Sequence, residues 1–219
     1  MNSKEVKVKI CGLRTLTDVE SVVRCRADLG GMVLFYPKSR RNVEICQAKK
    51  MVDALKKSDV QTVAVTVSPT AEQLLAIEET GFDFIQIHGE LLENVYEQSC
   101  IPLIRALNMK DEQHAEQVQN MIADTLKKEK IEYLLLDAGT PGAGKTFSWQ
   151  SLQHILRKFK GNMQKSKLII AGGLRIDNVN RAIEIFQPDM VDVSSGVELE
   201  DGSGKSPKLI EAFVKQVRN

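Results

Sequence analysis

The sequence predicts a single-domain (β/α)8 TIM barrel over residues 1–219, with phosphate-binding loops after strands 7 and 8. Three observations carry this. Eight short apolar runs recur with amphipathic segments between them, and eight is the number of strands such a barrel closes with. The runs are apolar throughout more than alternating, as strands covered on both faces should be. The glycine-rich turns come late, after the sixth, seventh and eighth runs, where barrels commonly build their phosphate site. A doubly wound open sheet is the competing architecture, but it calls for fewer strands and a glycine-rich turn after the first.

The elements follow in order. Val6–Cys11 is the first strand, and Leu16–Arg26 is its helix, with Thr17 or Asp18 as start signal. Met32–Tyr36 leads to the helix Val43–Lys56. Thr62–Val67 leads to Ala71–Thr80, which Thr70 and Gln73 open as a capping box after Pro69. Phe84–His88 precedes Leu91–Ser99, a short and weakly helical stretch, and Leu103–Ala106 precedes Asp111–Lys130. Tyr133–Asp137 precedes Trp149–Phe159, with Ser148 as its start signal. Lys167–Ala171 precedes Asn178–Phe186, and Met190–Val193 precedes Pro207–Val217, where Ser206 caps and proline takes the first helical position. No Pro/Ser linker or composition shift divides the chain, so one domain is expected.

A net charge of +1 gives no electrostatic footprint for nucleic acid or an anionic membrane. No apolar run approaches the ~20 residues of a membrane span, and Met1–Glu5 has no signal-peptide core behind it. Cys11, Cys25, Cys46 and Cys100 are scattered without metal-ligand spacing, so a reducing, cytoplasmic setting is expected. The three histidines pair with no other His or Cys at ligand spacing, and no metal is expected.

Two strands end in residues capable of proton transfer: Cys11 closes the first and Asp137 the sixth. Barrels assemble their active sites at these carboxyl ends, which lifts a thiol and a carboxyl towards general base and acid roles. Taken singly, each has a plainer reading: an inert buried cysteine, or a helix-capping carboxylate. His88 ends the fourth strand and either lines the same mouth or is a hydrogen-bonded structural histidine. Ala171-Gly172-Gly173-Leu174 and Ser194-Ser195-Gly196-Val197-Glu198 follow strands seven and eight, and together they read as a phosphate cradle of backbone N–H groups. Lys38, Arg40 and Arg41 follow the second strand; they hold an anionic group or form a solvated basic turn.

Strand alternation puts Lys9 on the face of Cys11, and Asp192 on the face of Ser194. Closure makes strands one and eight neighbours, so Lys9 and Asp192 are expected to pair inside the barrel, because an unpaired buried charge is too costly. The ammonium is also expected to favour the thiolate of Cys11.

Gly139-Thr140-Pro141-Gly142-Ala143-Gly144-Lys145-Thr146 satisfies the nucleotide P-loop pattern letter for letter and follows a strand. It lies late in the chain, the next helix starts near Ser148-Trp149, and no strong strand ending in Asp follows to hold magnesium. In the barrel reading these residues form a mobile loop that closes over substrate.

Lys9-Ile10-Cys11-Gly12-Leu13, Pro37 to Arg41, Ile85-Gln86-Ile87-His88-Gly89, Leu136-Asp137, Gly144-Lys145-Thr146-Phe147 with Trp149, Ala171 to Leu174 with Asn178-Val179, and Val191 to Glu198 appear in one collinear order. Together they resemble the phosphoribosylanthranilate isomerase family of tryptophan biosynthesis from about Val6 onward. Ser148 and Ser206 stand where that family commonly has Asp, and Ala64-Val65-Thr66-Val67 replaces a strand that usually begins with Gly. The resemblance implies an isomerase that converts N-(5-phosphoribosyl)anthranilate by an Amadori rearrangement, without cofactor or metal, as a monomer or homodimer. It implies phosphate on Gly172, Gly173, Ser195 and Gly196, and Arg41 on the anthranilate carboxylate. Asp137 would be general acid, Cys11 general base, and His88 part of the substrate site. A different phosphosugar barrel, such as an epimerase or indole-glycerol-phosphate synthase, would need metal-binding residues or a lysine-glutamate set that the sequence does not supply.

Overall fold

Strands and helices alternate from β1 to α8 in the computed structural model, which describes residues 5–109, 114–137, 149–159 and 166–219. The strands are β1 Lys7–Cys11, β2 Leu29–Val33, β3 Gln61–Val67, β4 Phe84–His88, β5 Leu103–Asn108, β6 Ile131–Asp137, β7 Lys167–Ala171 and β8 Met190–Val193. The helices are α1 Leu16–Arg24, α2 Ile45–Leu55, α3 Ala71–Thr80, α4 Glu93–Gln98, α5 Ala115–Leu126, α6 Trp149–Phe159, α7 Val179–Phe186 and α8 Pro207–Arg218. All neighbouring strands are parallel, and β1 pairs with β8 to close the barrel. Among the described residues no helix is long and apolar enough to cross a membrane.

Two apolar layers follow from the period-two alternation of strands buried on both faces. Val8, Ile10, Leu134, Ile170 and Val191 point outward and pack with helix residues such as Val22, Leu152 and Phe213. Leu29, Val63, Phe84, Ile104, Tyr133, Ile169 and Met190 point inward. The rings of Phe84 and Tyr133 meet edge to face at 5.8 Å and plug the amino-terminal half of the interior. Further along the same strands the inward residues turn polar. Phe84 is followed by Gln86 and His88, Leu135 by Asp137, and Met190 by Asp192. The alternation that fills the base therefore delivers the chemistry to the mouth.

The second strand lies three residues earlier than the expected Met32–Tyr36. Gly30 and Gly31 sit within it because packing demands them there. A side chain at Gly30 would meet Leu13 at 2.9 Å, and one at Gly31 would meet the Lys9 ammonium at 3.1 Å. The first helix is capped by Thr15 instead of Thr17 or Asp18, and Asp18 closes the capping box as its third residue. The caps expected at Thr70 with Gln73 and at Ser206 before Pro207 are both present. Ser148 and the Gly139–Thr146 segment lie outside the described residues, as does the expected start of the fifth helix at Asp111.

Candidate active site

The carboxyl ends of the strands surround an open cavity of about 520 Å³. Cys11, Arg41, His88, Asp137, Gly172, Gly173 and Ser195, all singled out in the sequence, line it. Gly196 belongs to the same loop as Ser195, on a 3-10 turn spanning Ser195–Val197. The thiol and the carboxyl, 126 positions apart in the chain, thus share one recess.

Lys9 and Asp192 occupy the floor. They are register partners across the β1–β8 seam, and the ammonium lies 3.0 Å from both carboxylate oxygens. Lys9 is fully buried and Asp192 nearly so. Burial works to lower the Lys9 pKa, but Asp192 and Cys11 outweigh it and the net shift is upward, so the pair is ionic. The expected pairing is present, and Lys9 favours the thiolate as expected, but burial outweighs it. Burial pushes the Cys11 thiol above its ordinary range, and the ammoniums of Lys9 and Lys205 offset only part of that, with Asp192 adding to the rise. Two cations, one neutralised by Asp192 and the other by Glu198, are a weak inducement to ionise.

His88 stands at the opposite wall. Its Nδ1 lies 3.1 Å from Asn108 Oδ1 and its Nε2 lies 2.8 Å from Gln86 Nε2. The carbonyl of Asn108 accepts, so Nδ1 carries the proton and Nε2 accepts from the Gln86 amide. Burial lowers the His88 pKa against the upward pull of Asn108 and Asp137, and the ring is held neutral. Asn108 pairs in register with Asp137 on β6, which places histidine, amide and carboxyl on one arc of the mouth.

Two further loops close the ring. Gly172 and Gly173 adopt φ of +94° and +63°, conformations that favour glycine and turn the β7 loop back over the barrel. A methyl group at Gly196 would run into the Leu174 carbonyl, so the β7 and β8 loops are in direct backbone contact. The basic turn after β2 is partly anchored and partly solvated: Arg41 Nε and Nη2 donate to Glu198 at 2.6 and 3.1 Å and Arg40 pairs with the same carboxylate, while Lys38 and Arg40 are exposed. Burial works against ionisation of Glu198, but hydrogen bonds from Arg41 and the charges of Lys205 and Arg41 hold it at about 2.

Gln86, Asn108, Asp18 and Lys205 were missed as contributors to this region. Gln86 had a readable signal, since it shares a strand face with His88 two residues on. Among the described residues no group of three or more His, Cys, Asp and Glu side chains is placed to hold a metal ion.

Fold and pocket define a (β/α)8-barrel protein with its ionisable side chains gathered at the carboxyl ends of the strands, the face on which this architecture places chemistry. The chain belongs to the N-(5'-phosphoribosyl)anthranilate isomerase family, whose model matches residues 8–216. It is 39% identical over 213 residues to the N-(5'-phosphoribosyl)anthranilate isomerase of Streptococcus mutans, covering 97% of this chain and 98% of that relative. The phosphoribosyl anthranilate isomerase of Thermotoga maritima superposes with a TM-score of 0.79 at 32% identity, over 97% of this chain and 98% of the other. A further isomerase, solved in complex with reduced 1-(o-carboxyphenylamino)-1-deoxyribulose 5-phosphate, superposes with a TM-score of 0.77 at 30% identity, over 97% and 98%.

Proposed function

We propose that this protein is an isomerase that converts N-(5'-phosphoribosyl)anthranilate to 1-(2-carboxyphenylamino)-1-deoxyribulose 5-phosphate, an aldose-ketose rearrangement of tryptophan biosynthesis. The observation that carries the reading is the meeting of Cys11 and Asp137 in one pocket of a chain belonging to this family.

Asp137 acts as general acid and protonates the furanose ring oxygen, so that the ring opens to a protonated Schiff base. Cys11 acts as general base and removes the C2 proton; the resulting enolamine tautomerises to the ketone. Burial raises the thiol pKa, so Cys11 must first release its own proton to solvent through the open mouth before it can act as base. The iminium formed on ring opening adds a positive charge near the sulfur that favours this release, and the thiolate then takes the proton from C2. The electrons move within the substrate, so the proposed steps need no cofactor.

The phosphate sits on the loops of Gly172, Gly173, Ser195 and Gly196: Gly172, Gly173 and Ser195 line the cavity, the two glycines at positive φ, and Gly196 packs on the Leu174 carbonyl beside them. Arg41 takes the anthranilate carboxylate. Glu198 uses two of the five N–H donors of the guanidinium and fixes its plane, leaving the others for the substrate. His88 forms the wall beside the sugar, with both ring nitrogens held by Asn108 and Gln86. A phosphorylated small-molecule substrate, the cytosol as site of action and a monomeric or homodimeric state complete the reading; free cysteines throughout fit a reducing compartment.

Purified protein is expected to consume phosphoribosylanthranilate in buffer containing a metal chelator, and the gene to rescue a tryptophan auxotroph lacking this step. A pure protein that leaves the substrate untouched, with no rescue, would refute the assignment.

A further inference from the structure

Lys205 lies in the turn between β8 and α8, a polar stretch of Gly202-Ser203-Gly204-Lys205-Ser206 that reads as a solvated loop. It is 3% exposed. Its backbone bridges to Glu198 in a small antiparallel hairpin, and its backbone N–H donates to Asp18 at 2.7 Å. A side chain at the preceding Gly204 would meet the same Asp18 oxygen at 3.0 Å. Asp18 also accepts the backbone N–H groups of Arg14 and Thr15, so it ties this hairpin to the loop that leaves Cys11.

The ammonium reaches the other way, towards the site. It donates to the Ser194 carbonyl at 3.1 Å, to Ser194 Oγ at 3.3 Å and to Glu198 Oε1 at 3.2 Å. Ser194 Oγ in turn donates to the Cys11 carbonyl at 3.0 Å. Glu198 is the carboxylate that holds Arg41. One buried cation is therefore bonded to the clamp on the guanidinium and, through Ser194, linked to the strand end bearing the thiol. Structural needs alone do not call for a charge here, since an apolar side chain of this length costs less to bury.

We propose that Lys205 is a positioning residue for the isomerisation, holding Glu198 so that Arg41 faces the substrate carboxylate and, through Ser194, setting a positive charge behind the strand end that carries Cys11. The proposal rests on the function assigned above. The charged groups facing Cys11 are Lys9 and Asp192 from the barrel floor and Lys205 from the β8 turn; those facing Lys205 are Glu198, Arg41 and Cys11.

The test compares Lys205→Met, Lys205→Arg and Glu198→Gln in the intact protein. Steady-state kinetics with phosphoribosylanthranilate give KM and kcat. Iodoacetamide labelling of the Cys11 peptide against pH, followed by mass spectrometry, reports thiolate formation without substrate. Lys205→Met is expected to raise KM about tenfold, the effect of a misdirected carboxylate contact, and to move the labelling curve up by about one pH unit, as for loss of one nearby opposite charge. Lys205→Arg is expected to stay near wild type in both. Glu198→Gln is expected to raise KM without moving labelling to higher pH, and it keeps the question open to experiment if Lys205→Met does not fold. Wild-type KM and labelling in Lys205→Met overturn the proposal, as does a Glu198→Gln variant with unchanged KM. Because labelling needs no turnover, a wild-type protein that fails to isomerise would refute the function separately.

Discussion

At the amino-terminal end of the barrel, three carboxylates do the same thing. Asp28, Asp83 and Asp189 each precede an even-numbered strand and accept the N–H of the second residue of the strand before it. Val8 donates at 2.7 Å, Thr62 at 2.7 Å and Leu168 at 2.8 Å. At the carboxyl end, Asp137, Asp192 and Glu198 instead meet a cavity, a lysine and an arginine clamp. Size does not separate the two ends, because the base also has a recess, of about 580 Å³, lined by Lys7, Arg26, Asp28 and Asp59 among others. What differs is the partner of each carboxylate. Backbone amides hold all three acids at the base, with Arg218 adding an ion pair to Asp28 at 3.2 Å, and their work there is to hold strand ends in place. Titratable side chains face the acids at the mouth, where protonation can change during a reaction.

The sharpest way to break this contrast is at the floor of the mouth. Lys9→Met leaves Asp192 buried without its cation, and stability is expected to fall by about 3–5 kcal/mol; urea unfolding measures it. A much smaller loss would mean that the pair is not sealed from water. Next come the proposed acid and base. Asp137→Asn and Cys11→Ala are each expected to lower turnover at least ~10²-fold, about 2.7 kcal/mol of barrel-mouth chemistry, while melting stays close to wild type. Near-normal turnover in either variant would remove the roles assigned to them.

At the base the outcome should reverse. Asp83→Ala strips the partner from the Thr62 N–H and hydroxyl and should cost about 1–3 kcal/mol of stability, with kcat/KM unchanged. The smallest expected effect is one of pH. Glu198 is held at about 2 in the fold against an ordinary 4.5, so its stabilising contribution is complete above about pH 4.5 and disappears as pH falls towards 2. Glu198→Gln lacks this titration and should lose less stability than wild type between pH 5 and about 2.5; equal losses would show that Glu198 is not clamped.

Most of the barrel was legible because strands buried on both faces leave unmistakable apolar runs, as in Phe84–His88 and Lys167–Ala171, whose limits agree with the structure. The second strand was misplaced because Gly30 and Gly31 look like a turn in one dimension and serve close packing in three. The Lys9–Asp192 pair was readable from alternation and closure alone, since those two rules fix both the face and the neighbour. The ionisation of Cys11 was not, because it is a contest between burial and several charges whose distances only the folded chain sets. Lys205 was hidden for a related reason: glycines and serines around a lysine signal a solvated loop, and only the hairpin with Glu198 turns it inward.

The most direct test of the account is a crystal structure of this chain with reduced 1-(o-carboxyphenylamino)-1-deoxyribulose 5-phosphate. The expected result has the phosphate on the backbone of Gly172, Gly173, Ser195 and Gly196, and the carboxylate on Arg41. The sugar carbons should lie between the sulfur of Cys11 and the carboxyl of Asp137. An analogue bound elsewhere, or in this cavity with either of those two groups out of reach of its sugar, would contradict it.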